Sequence, residues 1–111
     1  MAATHKLLVF TNPRDGMEDD YNDWYNNVHL NEVCQLPSVT SAQRFELNAS
    51  LPNAPELTWR YLAIYELEND DASAILDELA KGAPTMQMSA AINRKTAAGW
   101  VFSPISDVVT G

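Results

Sequence analysis

One cysteine, Cys34, occurs among 111 residues, so the chain has no internal disulfide and no thiolate zinc cluster of its own. Cations are scarce as well. Seven Lys and Arg stand against 15 Asp and Glu, for a formal net charge of -8 at pH 7, and no basic run occurs. Nucleic acid and anionic membranes are therefore not expected as partners. Long apolar runs are also missing: the stretch at residues 7–10 is broken by Asn12 and Pro13, too short for a secretory leader or a membrane span. A cytoplasmic location is the expectation. There is no GxGxxG, no GxxxxGK[ST] and no glycine-flanked serine elbow, so neither a nucleotide cofactor nor a serine hydrolase is expected, and no cofactor is assigned. What is present is 46% hydrophobic residues. That suffices for one compact domain over residues 1–111, burying about two thirds of the surface of the unfolded chain.

Hydrophobic patterning divides the chain into six elements. Residues 5–11 are a β-branched and aromatic run closed by Asn12-Pro13, a first strand. Asp15 followed by Glu18 has the spacing of a capping box, and Glu18, Asp19 and Asp20 load the first turn of a helix starting near Gly16. Met17, Tyr21, Trp24, Tyr25 and Val28 fall on one face at 3.6 residues per turn. Unbroken, that helix would carry Glu32 into the middle of the apolar face, where an unpaired carboxylate is costly. A break at residues 29–31 is expected instead, with Asn31 capping a short turn that carries Val33 and Leu36. His29 would lie at the joint.

Residues 38–48 alternate as a strand, with Val39, Ser41, Gln43, Phe45 and Leu47 on one face and Thr40, Ala42, Arg44 and Glu46 on the other. Residues 58–67 form the most aromatic strand. Asp70 or Asp71 caps a second helix with Ile75, Leu76 and Leu79 inward, closed by Gly82 and Pro84. A short helical turn is expected at residues 86–91, and a last strand at 99–105. The order strand, helix, strand, strand, helix, strand predicts an α+β, ferredoxin-like βαββαβ domain with a four-stranded antiparallel sheet. Such a sheet should alternate apolar and polar residues. Here Trp59, Tyr61, Ala63 and Tyr65 oppose Leu62 and Ile64, and Leu7 and Val9 oppose Leu8 and Phe10. Trp100 and Phe102 likewise oppose Val101 and Ile105. Both faces require cover, so a homodimer with its sheets face to face is expected.

Two stretches, "KLLVFTNPRDGMEDDYNDWYNNVHL" and "LPSVTSAQRFEL", carry a strand, an Asn-Pro turn, a Trp-Tyr helix and a His-Leu step. In these features the chain resembles the EthD-like branch of the dimeric α+β barrel superfamily, best over residues 6–47. The resemblance implies a dimeric α+β barrel, and a small-molecule cleft inside each protomer between sheet and helices. It also implies a site drawn from the matching residues Asn12, Tyr21, Trp24, Tyr25 and His29. The superfamily spans isomerases, cofactor-independent monooxygenases, cyclases, decarboxylases, lyases and haem enzymes, so the likeness does not select a reaction.

His29 follows Tyr25 by four residues and Tyr21 by eight, a column along one helix flank. An imidazole there suits proton transfer at neutral pH, and its alternative role is a hydrogen bond that fixes the joint. Tyr25 or Asn12 would steady an oxyanion. Tyr21, Trp24, Tyr61 and Tyr65 are candidates to line an apolar cleft, though core packing is their default. His5 is either a cavity histidine or an exposed one near the chain start. Arg44 either holds a carboxylate or enolate, or pairs with Glu46 or Glu66 across the sheet. His29 and Glu32 alone are too few for a metal site. The expected function is a cofactor-independent lyase, isomerase or cyclase acting by acid-base chemistry on an apolar, aromatic or ketone-bearing metabolite. The alternatives are a noncatalytic metabolite-binding protein and an oxygenase, cofactor-free or haem-dependent.

Overall fold

The computed structural model describes residues 3–111. Four strands, β1 (Thr4–Thr11), β2 (Val39–Glu46), β3 (Tyr61–Glu68) and β4 (Ala98–Phe102), pair antiparallel in the order β2-β3-β1-β4. Between β1 and β2 the chain runs through α1 (Glu18–Trp24), a π-helical turn (Tyr25–His29) and α2 (Leu30–Val33). Between β3 and β4 lies α3 (Ala72–Gly82), ending in a 3-10 turn, Ala83–Thr85. This is the expected α+β, ferredoxin-like order. Among the described residues no helix is long and apolar enough to cross a membrane.

The inner face of the sheet alternates as a one-sided strand should. Leu7 of β1 and Tyr61, Ala63, Tyr65 and Leu67 of β3 are buried against Tyr21, Trp24, Tyr25 and Val33 from the first helical segment and Ile75 from α3. Each fully buried aliphatic side chain in such a layer is worth about 1.5–3 kcal/mol relative to exposure. Asp71 caps α3, its carboxylate accepting from the Ser73 N–H at 2.9 Å.

Several local expectations are corrected. The capping box at the start of α1 does not form: Met17 is the N-cap without a side-chain bond. The Glu18 carboxylate accepts instead from Arg60 at 2.7 Å and from the Tyr61 hydroxyl at 2.9 Å. Asp15 lies in a turn closed by Met17 N–H to Arg14 C=O, where Gly16 takes φ 76°, a left-handed conformation that glycine adopts without strain. In β2 a bulge between Val39 and Ser41 shifts the register, so Val39 joins Ala42 against the core instead of sharing the face of Phe45. The residues before Tyr61 are not paired as strand, and Trp59 turns to the outer face, its ring 5.3 Å from Phe10 and 6.1 Å from Trp100. On α3, Leu76 is exposed while Ile75 and Leu79 point inward. Residues 86–91 form no helix. They lead into a short pairing beside the end of β1, where Arg14 N–H donates to Ala91 C=O and Asn93 N–H to Asn12 C=O.

The outer face carries Leu8, Phe10, Leu62 and Ile64, partly buried, together with Phe45, Trp100 and Phe102, the last 57% exposed.

Candidate functional site

The first helical segment does not break where Glu32 threatened the core. It keeps right-handed helical backbone through Tyr25, His29 and Leu30, but passes through a π turn at Tyr25–His29. A π turn holds one extra residue, so everything after it is set back by about 100° relative to a continuous α-helix. Val33 therefore takes the inward position that Glu32 would have occupied, and is buried. Asn31 is not a cap; its side chain reaches back to Asn27 C=O at 3.4 Å. The aromatic face thus keeps its phase before the turn, and Glu32 is delivered beside His29.

His29 sits against two aromatic rings. Its imidazole stacks on Trp24 at 4.7 Å between centroids and meets Tyr25 edge-on at 5.1 Å. The side chain is 15% exposed. Nδ1 faces Glu32 Oε1 at 3.7 Å, and both atoms are buried without a hydrogen-bond partner among the described residues. The other ring nitrogen, Nε2, makes no hydrogen bond among the described residues and is not one of the buried, partnerless atoms. Burial holds the imidazole below its ordinary pKa, outweighing the opposing pull of Glu32. Glu32 is itself fixed: its second oxygen accepts from the Gln87 N–H at 2.6 Å, while the Gln87 C=O accepts from the Trp24 indole at 2.8 Å. One peptide segment after α3 therefore clamps both the stacking partner and the carboxylate.

Behind this pair lies a packed tyrosine layer. The Tyr21 hydroxyl bonds to Thr11, and the Tyr65 hydroxyl lies 3.5 Å from that of Tyr25. Burial raises Tyr21, Tyr25 and Tyr65 above the usual phenol value, so all three stay protonated at neutral pH. Arg44 of β2 reaches over these rings, with its guanidinium carbon 4.4 Å from the Tyr25 centroid, 5.2 Å from Tyr21 and 5.3 Å from Tyr61. It donates to Asn26 at 2.7 Å and Asn22 at 2.9 Å. Neither expected carboxylate pairs with it, because Glu46 is taken by Arg60 and Glu66 by Lys6. Arg44 is a cation without a counterion among the described residues.

His29, Trp24, Tyr25, Tyr21, Tyr61, Tyr65 and Arg44 are thus brought into one contiguous cluster. Two candidates are not. Asn12 spends its amide on the backbone, donating to Thr58 C=O at 3.0 Å and accepting from Arg60 N–H at 2.8 Å, which ties the end of β1 to the approach to β3. His5 is buried rather than exposed; it lies 2.7 Å from Ser103 Oγ and 2.9 Å from Asn69 C=O, a structural link between three segments. The expected cleft between sheet and helices is filled by the tyrosine rings, and His29 opens to solvent at the edge of that layer. Sequence reasoning missed Glu32 as a partner of His29, although the three-residue spacing placed them on neighbouring positions. It missed Gln87 altogether, because a backbone contact across 55 residues leaves no pattern in side-chain identity. Among the described residues no three His, Cys, Asp or Glu side chains converge, so the His29–Glu32 pair lacks a third metal ligand.

A four-stranded antiparallel sheet with both helices on one face, and a histidine stacked into its aromatic layer, define a small ferredoxin-like α+β protein. Solved structures share that fold. An EthD family protein from Bacillus halodurans C-125 matches with a TM-score of 0.63 at 14% identity, over 93% of this chain and 99% of the other. HapK from Hahella chejuensis matches with a TM-score of 0.59 at 18% identity, over 96% and 99%. A provisionally assigned monooxygenase from Shewanella loihica PV-4 gives 0.57 at 14%, also over 96% and 99%. The EthD-like resemblance of the sequence is thus met at the level of the fold. No family model matches the sequence, and no curated protein matches it.

Proposed function

We propose that this chain is a small enzyme that moves a proton on an apolar, aromatic or ketone-bearing metabolite, with His29 as the general base and then the acid. The observation that carries this reading is the asymmetric setting of the His29 ring. Among the described residues Nδ1 and Glu32 Oε1 are buried, 3.7 Å apart and otherwise partnerless, while Nε2 is unbonded. Leaving both buried atoms unpaired would cost about 1–3 kcal/mol each, which favours the tautomer with the proton on Nδ1, directed at Glu32. Nε2 then presents its lone pair to whatever reaches the aromatic edge. Burial keeps the ring neutral at pH 7, the state a base requires. As Nε2 takes a proton from carbon beside a carbonyl, the imidazolium is stabilised by Glu32, and negative charge grows on the enolate oxygen. Arg44, which pairs with no carboxylate among the described residues, supplies the positive charge for that oxygen or for a carboxylate on the substrate. Isomerisation, elimination, retro-aldol cleavage and cyclisation all pass through such a step.

The same reading makes the protein a homodimer. Trp100, Phe102 and Phe45 stand exposed beside Phe10 and Leu62 on the uncovered sheet face, and a twofold copy of that face covers them.

The test is proton exchange with solvent. In D2O, a panel of apolar aryl ketones is expected to include compounds whose α-carbon takes up deuterium in the presence of the protein. His29→Gln is expected to slow that uptake at least about a hundredfold while the circular dichroism spectrum is unchanged. A folded His29→Gln protein with full activity would remove His29 from the mechanism. Stoichiometric oxygen consumption would favour an oxygenase, and tight binding without turnover a metabolite carrier.

A further inference from the structure

In a chain of formal net charge -8, the cations are not spread evenly. Lys6 is paired with Glu66, Arg60 with Glu18 and Glu46, and Arg44 is held by Asn22, Asn26 and the tyrosine rings. Of the four remaining cationic side chains, Arg14, Arg94 and Lys95 line a single open cleft of about 980 Å³; only Lys81 lies elsewhere. None of the three makes an ion pair among the described residues, although one carboxylate, Asp15, shares the cleft. Three unpaired positive charges at one place repel one another, and an anion seated among them relieves that repulsion. Met17 and Ile92 supply apolar wall, and none of the residues around His29 takes part.

The backbone that carries these side chains is fixed. The Arg14 N–H donates to Ala91 C=O at 2.7 Å and the Asn93 N–H to Asn12 C=O at 2.9 Å, so the end of β1 and the segment carrying Arg94 are laced together. Ala91 and Ile92 are buried and anchor that lacing in the core. Beyond it the Lys95 N–H donates to Asn93 Oδ1 at 3.1 Å, an Asx turn that fixes the basic pair, and Thr96 C=O accepts from the Trp59 indole. The two arginines are thus carried on opposite sides of one fixed ladder.

We propose that this cleft is a binding site for a small molecule bearing two or more negative charges, as phosphate or carboxylate groups, on an apolar body. Two guanidinium forks and one ammonium suit oxyanions, which arginine can grip with paired N–H donors. The volume is at the upper end of what small-molecule sites occupy, roughly 300–1,000 Å³. The site stands apart from the His29 cluster and does not depend on the reaction proposed there.

Calorimetric titration of the 111-residue chain with sodium pyrophosphate, and separately with sodium tricarballylate, tests this. One site per chain is expected, weakening as sodium chloride is added. Arg14→Gln and Arg94→Gln are each expected to lower the affinity at least about tenfold. Lys81→Gln, which removes the same charge outside the cleft, and His29→Gln are expected to leave it unchanged. Tighter binding of pyrophosphate assigns a phosphate ligand, and tighter binding of tricarballylate assigns a carboxylate. No saturable binding of either probe at millimolar concentration would overturn the proposal. So would a loss in Lys81→Gln equal to that in Arg94→Gln, because the effect would then be net charge rather than the cleft.

Discussion

Burial of His29 has a pH signature at the level of the residue. Its pKa lies below the ordinary value near 6.5, so between those two values the unfolded chain holds a proton that the native ring does not. The stability that His29 contributes is present above pH 6.5 and is lost as the pH falls through the native pKa. Acid unfolding followed by circular dichroism is therefore expected to begin at lower pH in His29→Gln than in the wild type. In a proton-exchange assay, the acid limb of kcat/KM is expected below pH 6.5. Glu32→Gln removes the group that pulls the pKa of His29 up, so that limb moves further to acid, while turnover drops at least about tenfold because the imidazolium loses its counter-charge. A limb that stays put in Glu32→Gln would separate the two residues. The pairing was half legible in the sequence: position and spacing were visible, but which oxygen faced which nitrogen was set by Gln87, far along the chain.

Among the elements, the π turn decides the geometry. The need to keep Glu32 off the apolar face could be read from periodicity, and so could the aromatic stripe of Tyr21, Trp24 and Tyr25, all of which are buried. The means could not, because a break with an Asn31 cap and a π turn solve the same conflict and differ only in backbone hydrogen bonding. Deleting Asn27, an exposed residue of that turn, is expected to remove the extra residue and restore a regular helix with Val33 still inward, because Val33 then stands where Glu32 would stand in an unbroken α-helix. Stability to urea is therefore expected to fall by less than the cost of expelling Val33 from the core, about 1.5–3 kcal/mol. A loss of that full size would show that the turn does more than accommodate one extra residue. The β2 bulge escaped the sequence for a similar reason: strict alternation placed Val39 with Phe45, and one extra residue reversed it.

At the scale of the whole molecule, the two-sided hydrophobicity of the strands was legible because it needs only parity, and the outer face indeed carries Phe45, Trp100 and Phe102 in the open. Trp100→Glu with Phe102→Glu is expected to convert a dimer into a monomer in sedimentation velocity; a double variant that keeps the mass of the wild type would place the contact elsewhere. The proton-transfer reading, however, rests on one tautomer, and the molecule offers an internal reference because it contains only two histidines. His5 has an acceptor carbonyl, Asn69 C=O, at Nε2, so that nitrogen carries the proton and Nδ1 accepts from Ser103. Nitrogen-15 NMR of the two imidazoles across pH 4–8, with His29→Gln for assignment, measures both at once. The expected result is opposite tautomers, Nε2–H in His5 and Nδ1–H in His29, with His29 titrating below pH 6.5. A His29 ring protonated on Nε2, or one that titrates above pH 6.5, would contradict the account.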